Sequence, residues 1–173
     1  MIVDCHVNLW EPEHLRPLFA AGTAYSRPGA VSPKADPDTV YAAMAKVDKA
    51  IVFSLRYGDS AGIDGDDEVT ARAVRKYPDK FVGFASVDPR RPDYMELLRY
   101  AVEQLGLKGV KFGPIYSGVS LLDPRMEPIY RYCVEKTCRS PCIWAQPLPR
   151  TRPSSWAGRW RWTRSRAGIA TSR

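Results

Sequence analysis

The stretch "DCHVNLW", from Asp4 to Trp10, carries the densest chemistry in this chain of 173 residues. Asp4-x-His6-x-Asn8 closes a short apolar run. A carboxylate, an imidazole and an amide oxygen so placed have the form of the first piece of a metal site. The remaining pieces are scarce, because the chain has only two histidines, His6 and His14. A lone histidine at a strand end is otherwise a hydrogen-bonded structural residue. His14, inside "EPEHL", reads as a surface or substrate-side residue rather than a ligand. Asp4 has two open roles, a hydrogen bond behind the ligands or a cap on the strand end. Lys111 alternates with Gly109 and Gly113 in "GVKFG". It either meets a substrate carboxylate or snorkels outward, and it is taken with Tyr116 and Trp10 as the candidate substrate-binding set.

Other chemistries are excluded by spacing. Cys5, Cys133, Cys138 and Cys142 show no paired framework, so thiols of a reducing compartment are expected. Cys133-x4-Cys138-x3-Cys142 is not zinc-ribbon spacing and has no histidine nearby. "GPIYSG" lacks the Gly-Lys-Ser of a phosphate loop. No apolar run of about 18 residues exists to span a membrane, and "MIVDCHVNLW" has no basic leader. A cytoplasmic protein is expected.

The elements that must position these groups alternate regularly. "MIVDCHV", "AIVFSL" (50–55), "FVGFASV" (81–87) and "LKGVKFG" (107–113) are apolar, β-branched runs of strand type. "EPEHLRPLFAAG" reads as a short helix closed by Gly22, and 23–35 as loop. Asp36-Pro37 opens a second helix as N-cap and first residue. "DDEVTARAVRKYP" has acids in its first turn and Arg75 and Lys76 in its last. Leu97, Leu98, Ala101, Val102 and Leu105 share one face of a helix that ends at Gly106. "DPRMEPIYRYCVEK" follows a Gly/Pro loop and again begins Asp-Pro. "YGDSAGIDG" reads as loop. Strand and helix alternating four times predict a parallel sheet with crossover helices. An open dinucleotide-binding sheet needs a Gly-rich turn after its first strand, and "HVNLWEP" has no glycine. That favours a barrel. A complete eight-stranded barrel takes about 250 residues, so α/β, a partial (β/α)8 TIM-type barrel of about four βα units, is the predicted fold class.

At this point "IVDCHVNLWEPEHL", "KFVGFASVDPRRPD" and "LGLKGVKFGPIYSGVSLLDPRMEPIYRYC" resemble the amidohydrolase superfamily. The similarity is to its amidohydrolase-related branch, which includes aminocarboxymuconate-semialdehyde decarboxylase-like enzymes. These stretches cover most of residues 1–135. The resemblance implies a first strand ending in His-x-His, both imidazoles binding one divalent metal ion, expected to be zinc. Here the pair is His6 and Asn8. An Asn oxygen is a weaker ligand for zinc than imidazole and suits harder ions better. The resemblance also implies a His from strand five and an Asp from strand eight, a small carboxylated substrate, and a hydrolase or decarboxylase reaction.

The formal charge of +7 averages two unlike segments. Residues 136–173 hold Lys136, eight arginines and no acid, which is +9. Residues 1–135 hold the other 17 basic groups and all 19 acids, which is −2. Four of the five tryptophans fall in the same C-terminal stretch, without a period of 2 or 3.6. The chain thus divides into an N-terminal half barrel, 1–137, and an irregular Arg/Trp/Pro-rich tail, 138–173. The genetic code offers an account of that tail. Pro141 to Ala145, regrouped from each third base, can spell Leu, His, Leu, Gly, and Cys138 to Pro141 can spell Pro-Leu-Pro. A one-base slip near 136–139 would replace a fifth strand and its histidine by this tail. Catalysis by such a chain alone is expected to be weak or absent. Exposed strand edges would favour pairing with a second copy, a homo-oligomer. The alternative is a non-catalytic module that grips nucleic acid or a membrane surface through Arg and Trp. It is set aside on the tail's prolines and lack of period, so neither partner is expected.

Overall fold

The computed structural model describes residues 1–20, 34–136 and 139–143, the last five as backbone. In chain order its elements are β1 (Val3–Asn8), α1 (Pro37–Ala43), β2 (Lys49–Phe53), a hairpin of β3 (Arg56–Tyr57) and β4 (Ile63–Asp64), and α2 (Asp67–Lys76). Then come β5 (Phe81–Val87), α3 (Tyr94–Arg99) running on as a π-helical turn Tyr100–Gln104, β6 (Gly109–Phe112), α4 (Pro114–Ser117), α5 (Glu127–Glu135) and β7 (Arg139–Ile143).

Five strands pair in the order β1-β2-β5-β6-β7. Every pairing is parallel. Sequential parallel strands joined by right-handed crossovers place their helices on one face. The side chains alternate accordingly. Ala50, Val52 and Phe81 pack with Val69 and Ala73 of α2. Ala85, Val87, Val110 and Phe112 pack with Leu98, Ala101 and Ile129. Burying each such side chain contributes about 1.5–3 kcal/mol, so this layer holds the sheet in shape. The opposite face carries Phe53 and Phe84, with Ile51, Val82, Trp10 and Tyr116 against them. That is the inner face of a partial barrel.

The helix starts are as expected. The Asp36 carboxylate accepts from the backbone N–H groups of Asp38 and Thr39, and that of Asp66 from Val69. Gly106 closes the third crossover at φ 73°, a conformation suited to glycine. Three expectations need correction. The helix expected over "EPEHLRPLFAAG" is a 3-10 turn, Pro12–His14, and a separate helical turn over 17–20. Pro17, which has no N–H to donate, separates them, and Gly22 lies outside the described residues. The expected loop "YGDSAGIDG" contributes β4 to a small antiparallel hairpin. The tail expected to be irregular from 138 includes β7, whose backbone pairs with the edge of β6. Edge pairing draws on main-chain groups more than on side chains, and an edge strand tolerates the missing N–H of Pro141. A register shift between Gly109 and Lys111 accommodates it. The rest of the Arg/Trp tail, 144–173, lies outside the described residues. Among the described residues no helix is long and apolar enough to cross a membrane.

Candidate metal centre on the inner face

Asn8 ends β1 and stands opposite Phe53 in register. His6 lies two residues earlier, its ring edge-on to Phe53 with centroids 4.9 Å apart. From β6, Lys111 reaches the same aromatic ring, its Nζ 4.9 Å from the centroid. Phe53 therefore sits between the candidate ligand and the candidate substrate cation. Lys111 is only 1% exposed, which decides between its two orientations: it points into the fold and does not snorkel. Trp10 and Tyr116 pack against the same Phe53 cluster. Tyr116 also lies 5.3 Å from the ring of Tyr57, and burial raises the pKa of its hydroxyl. The structure thus gathers His6, Asn8, Lys111, Trp10 and Tyr116 on one face.

Asp4 bonds locally, within β1. Its Oδ1 accepts from the backbone N–H of His6 at 2.9 Å, which fixes the chain at a register shift of β1. His14 is neither on the surface nor beside the inner-face groups. It is 9% exposed, its Nδ1 accepts from the Glu11 N–H at 3.1 Å, and its Nε2 lies 3.7 Å from Asp66. It closes the 3-10 turn after β1.

The electrostatics favour a neutral imidazole at His6. Burial, then the Lys111 charge, lower its pKa to about 4, while Asp4 acts in the opposite sense. A neutral ring keeps a lone pair for a cation. The Asn8 Oδ1 is buried with no hydrogen-bond partner among the described residues. A buried amide oxygen without a partner is costly, and a divalent ion would satisfy it. His6 and Asn8 therefore fit a metal ion as part of a centre. Among the described residues no three His, Cys, Asp or Glu side chains come together to hold one.

Two inner-face residues were missed in the sequence. Tyr57 donates its hydroxyl to the Val87 carbonyl at 2.8 Å and accepts from the Gly113 N–H at 2.9 Å. It ties the ends of β5 and β6 together. Ser86, 3% exposed, pairs in register with Lys111. A serine within the apolar run "FVGFASV" was the available signal.

A separate cavity of about 630 Å³ lies among the loops after β1, β2 and β5, and none of the candidate residues lines it. Its arginines are engaged in ion pairs. Arg16 meets Asp64 at 2.7 Å, Arg90 meets Asp59 and Asp88 at 2.7 and 2.5 Å, and Arg56 meets the buried Asp67 at 2.9 Å. These ion pairs tie the loops to one another.

A family model described as "Amidohydrolase" matches residues 3–137. The chain belongs to the amidohydrolase family. No curated protein sequence matches it. Solved structures similar to this chain include 5-carboxyvanillate decarboxylase of Novosphingobium aromaticivorans, with bound manganese and 3-methoxy-4-hydroxy-5-nitrobenzoic acid. That similarity has 23% identity and a TM-score of 0.55, and covers 81% of this chain and 49% of that one. The 4-oxalomesaconate hydratase of Rhodopseudomonas palustris is 19% identical with a TM-score of 0.53, covering 81% and 51%. A TIM-barrel protein of Bordetella bronchiseptica is 16% identical with a TM-score of 0.56, covering 78% and 52%. The fold is that of a partial barrel, and the chain spans about half the length of these structures.

Proposed function

We propose that residues 1–137 supply the N-terminal half of a metal-dependent enzyme acting on a small carboxylated substrate, by decarboxylation or hydrolysis. One observation carries this reading: the neutral imidazole of His6 and the buried oxygen of Asn8, which has no hydrogen-bond partner among the described residues, share the inner face with Lys111. When bound, a divalent ion would polarise a substrate carboxylate or activate water. Lys111 would hold the substrate charge, Phe53 would space it from His6, and Trp10 and Tyr116 would wall the pocket. Asp4 would keep His6 in place through its backbone. The donor pair of one nitrogen and one amide oxygen favours a harder ion than the zinc first expected. The manganese bound in the Novosphingobium decarboxylase supports that choice.

Two ligands from one strand are fewer than a catalytic centre uses. We therefore place the remaining ligands outside this reading frame. The family match stops at residue 137, just after the last acid, Glu135, which supports a one-base slip near that point. The test is manganese binding by the full chain, followed by electron paramagnetic resonance. Weak binding, lost in His6→Ala and in Asn8→Ala, is the expected result. Binding that is unchanged in both variants would remove His6 and Asn8 from the site. One tightly held ion per chain would show that the centre is already complete.

A further inference from the structure

Ser86 is the inner-face group for which the metal centre has no use. Its backbone N–H donates to Asp67 Oδ1 at 2.8 Å, which pins the strand from the helix side. Its hydroxyl points the other way. The residue is 3% exposed and its Oγ has no hydrogen-bond partner among the described residues. Buried hydroxyls without partners are rare in folded proteins and call for an explanation, a ligand or an ordered water being the usual one. The next strand places Lys111 directly beside Ser86. Register neighbours on parallel strands project to one side, with backbones about 4.8 Å apart. A hydroxyl and an ammonium side by side form two adjacent donors. Phe53 gives the lysine head a flat apolar floor. Two donors over an apolar floor select a flat anion with two oxygens.

We propose that Ser86 is a ligand-binding residue whose hydroxyl donates to one oxygen of a carboxylate while Lys111 meets its charge. This rests on the carboxylate reading above and adds a residue that fixes the orientation of that group. Metal is not needed for the interaction, so the test is made on the full chain with chelator present. Sodium benzoate is titrated and followed by calorimetry, with sodium chloride at equal ionic strength as the control. Ser86→Ala is expected to weaken benzoate binding about tenfold, the loss of one charge-assisted hydrogen bond. Ser86→Thr, which keeps the hydroxyl, is expected to retain it, and Lys111→Met to lose it. If Ser86→Ala does not fold, Ser86→Cys, close in size but a weak donor, takes its place in the comparison. Benzoate binding that survives loss of the hydroxyl but not loss of Lys111 overturns the role of Ser86 and leaves the carboxylate reading standing. No benzoate binding by the unaltered chain, or equal displacement by chloride, overturns both.

Discussion

His6 is where residue chemistry is most exposed to measurement. Burial first, and Lys111 second, hold its pKa near 4, against 6.5 for a free imidazole. In metal-free protein one of the two histidine ring signals is expected to titrate with a midpoint near 4, measured by carbon-proton NMR. Lys111→Met is expected to raise that midpoint; no change would mean that the two groups do not interact. The same depression has a stability consequence. Between about pH 4 and 6.5 the unfolded chain binds a proton at His6 that the folded chain does not. Stability is therefore expected to rise with pH across that window, and to fall as pH drops from 6.5 towards 4. A His6→Ala chain should show a flatter profile in denaturant titrations at several pH values. The sequence carried His6, Asn8 and Lys111 as types and spacings. It could not carry Phe53 between them, because that contact joins β1, β2 and β6 across more than a hundred residues.

At the scale of elements, the two Asp caps are local devices and were readable as such. Asp36→Ala removes acceptance from two backbone N–H groups and the Thr39 hydroxyl. It is expected to cost about 1 kcal/mol in chemical denaturation. Tyr57 is different in kind. Tyr57→Phe leaves the Gly113 N–H buried and unpaired and also frees the Val87 carbonyl. A loss of about 1–3 kcal/mol is expected, visible in the same experiment. Faster amide hydrogen exchange at Gly113 would show that the strand ends have parted. This clasp, like the β3–β4 hairpin that carries it, was not legible in "YGDSAGIDG". A two-residue strand has no period to read, and its pairing is set by what surrounds it. The strands were legible because burial on both faces forces continuous apolar runs.

At the scale of the molecule, the described residues form a partial barrel whose sheet ends at β1 and β7. Among the described residues β1 pairs only with β2, while Ile2 is 61% exposed and Val3 42%. Edges of this kind pair with other chains. Concentration-dependent self-association is expected in sedimentation velocity, reduced by Val3→Lys; a monodisperse monomer at all concentrations would count against it. Sequencing the gene across codons 134 to 145 tests the frame slip. A missing or extra base there would mean that a longer chain with a fifth-strand histidine is the functional protein. An intact frame would mean that the Arg/Trp tail belongs to it.

Class and partial size followed from alternation and length, since a parallel sheet with covered faces writes its pattern along the chain. That His6 and Asn8 share one face followed from a spacing of two on one strand. Which way Lys111 points and where Ser86 stands are relations between strands. Parallel strands meet only through crossovers of many residues, so their neighbours are far apart in the chain. Those relations are settled by register and packing, and local sequence contains neither.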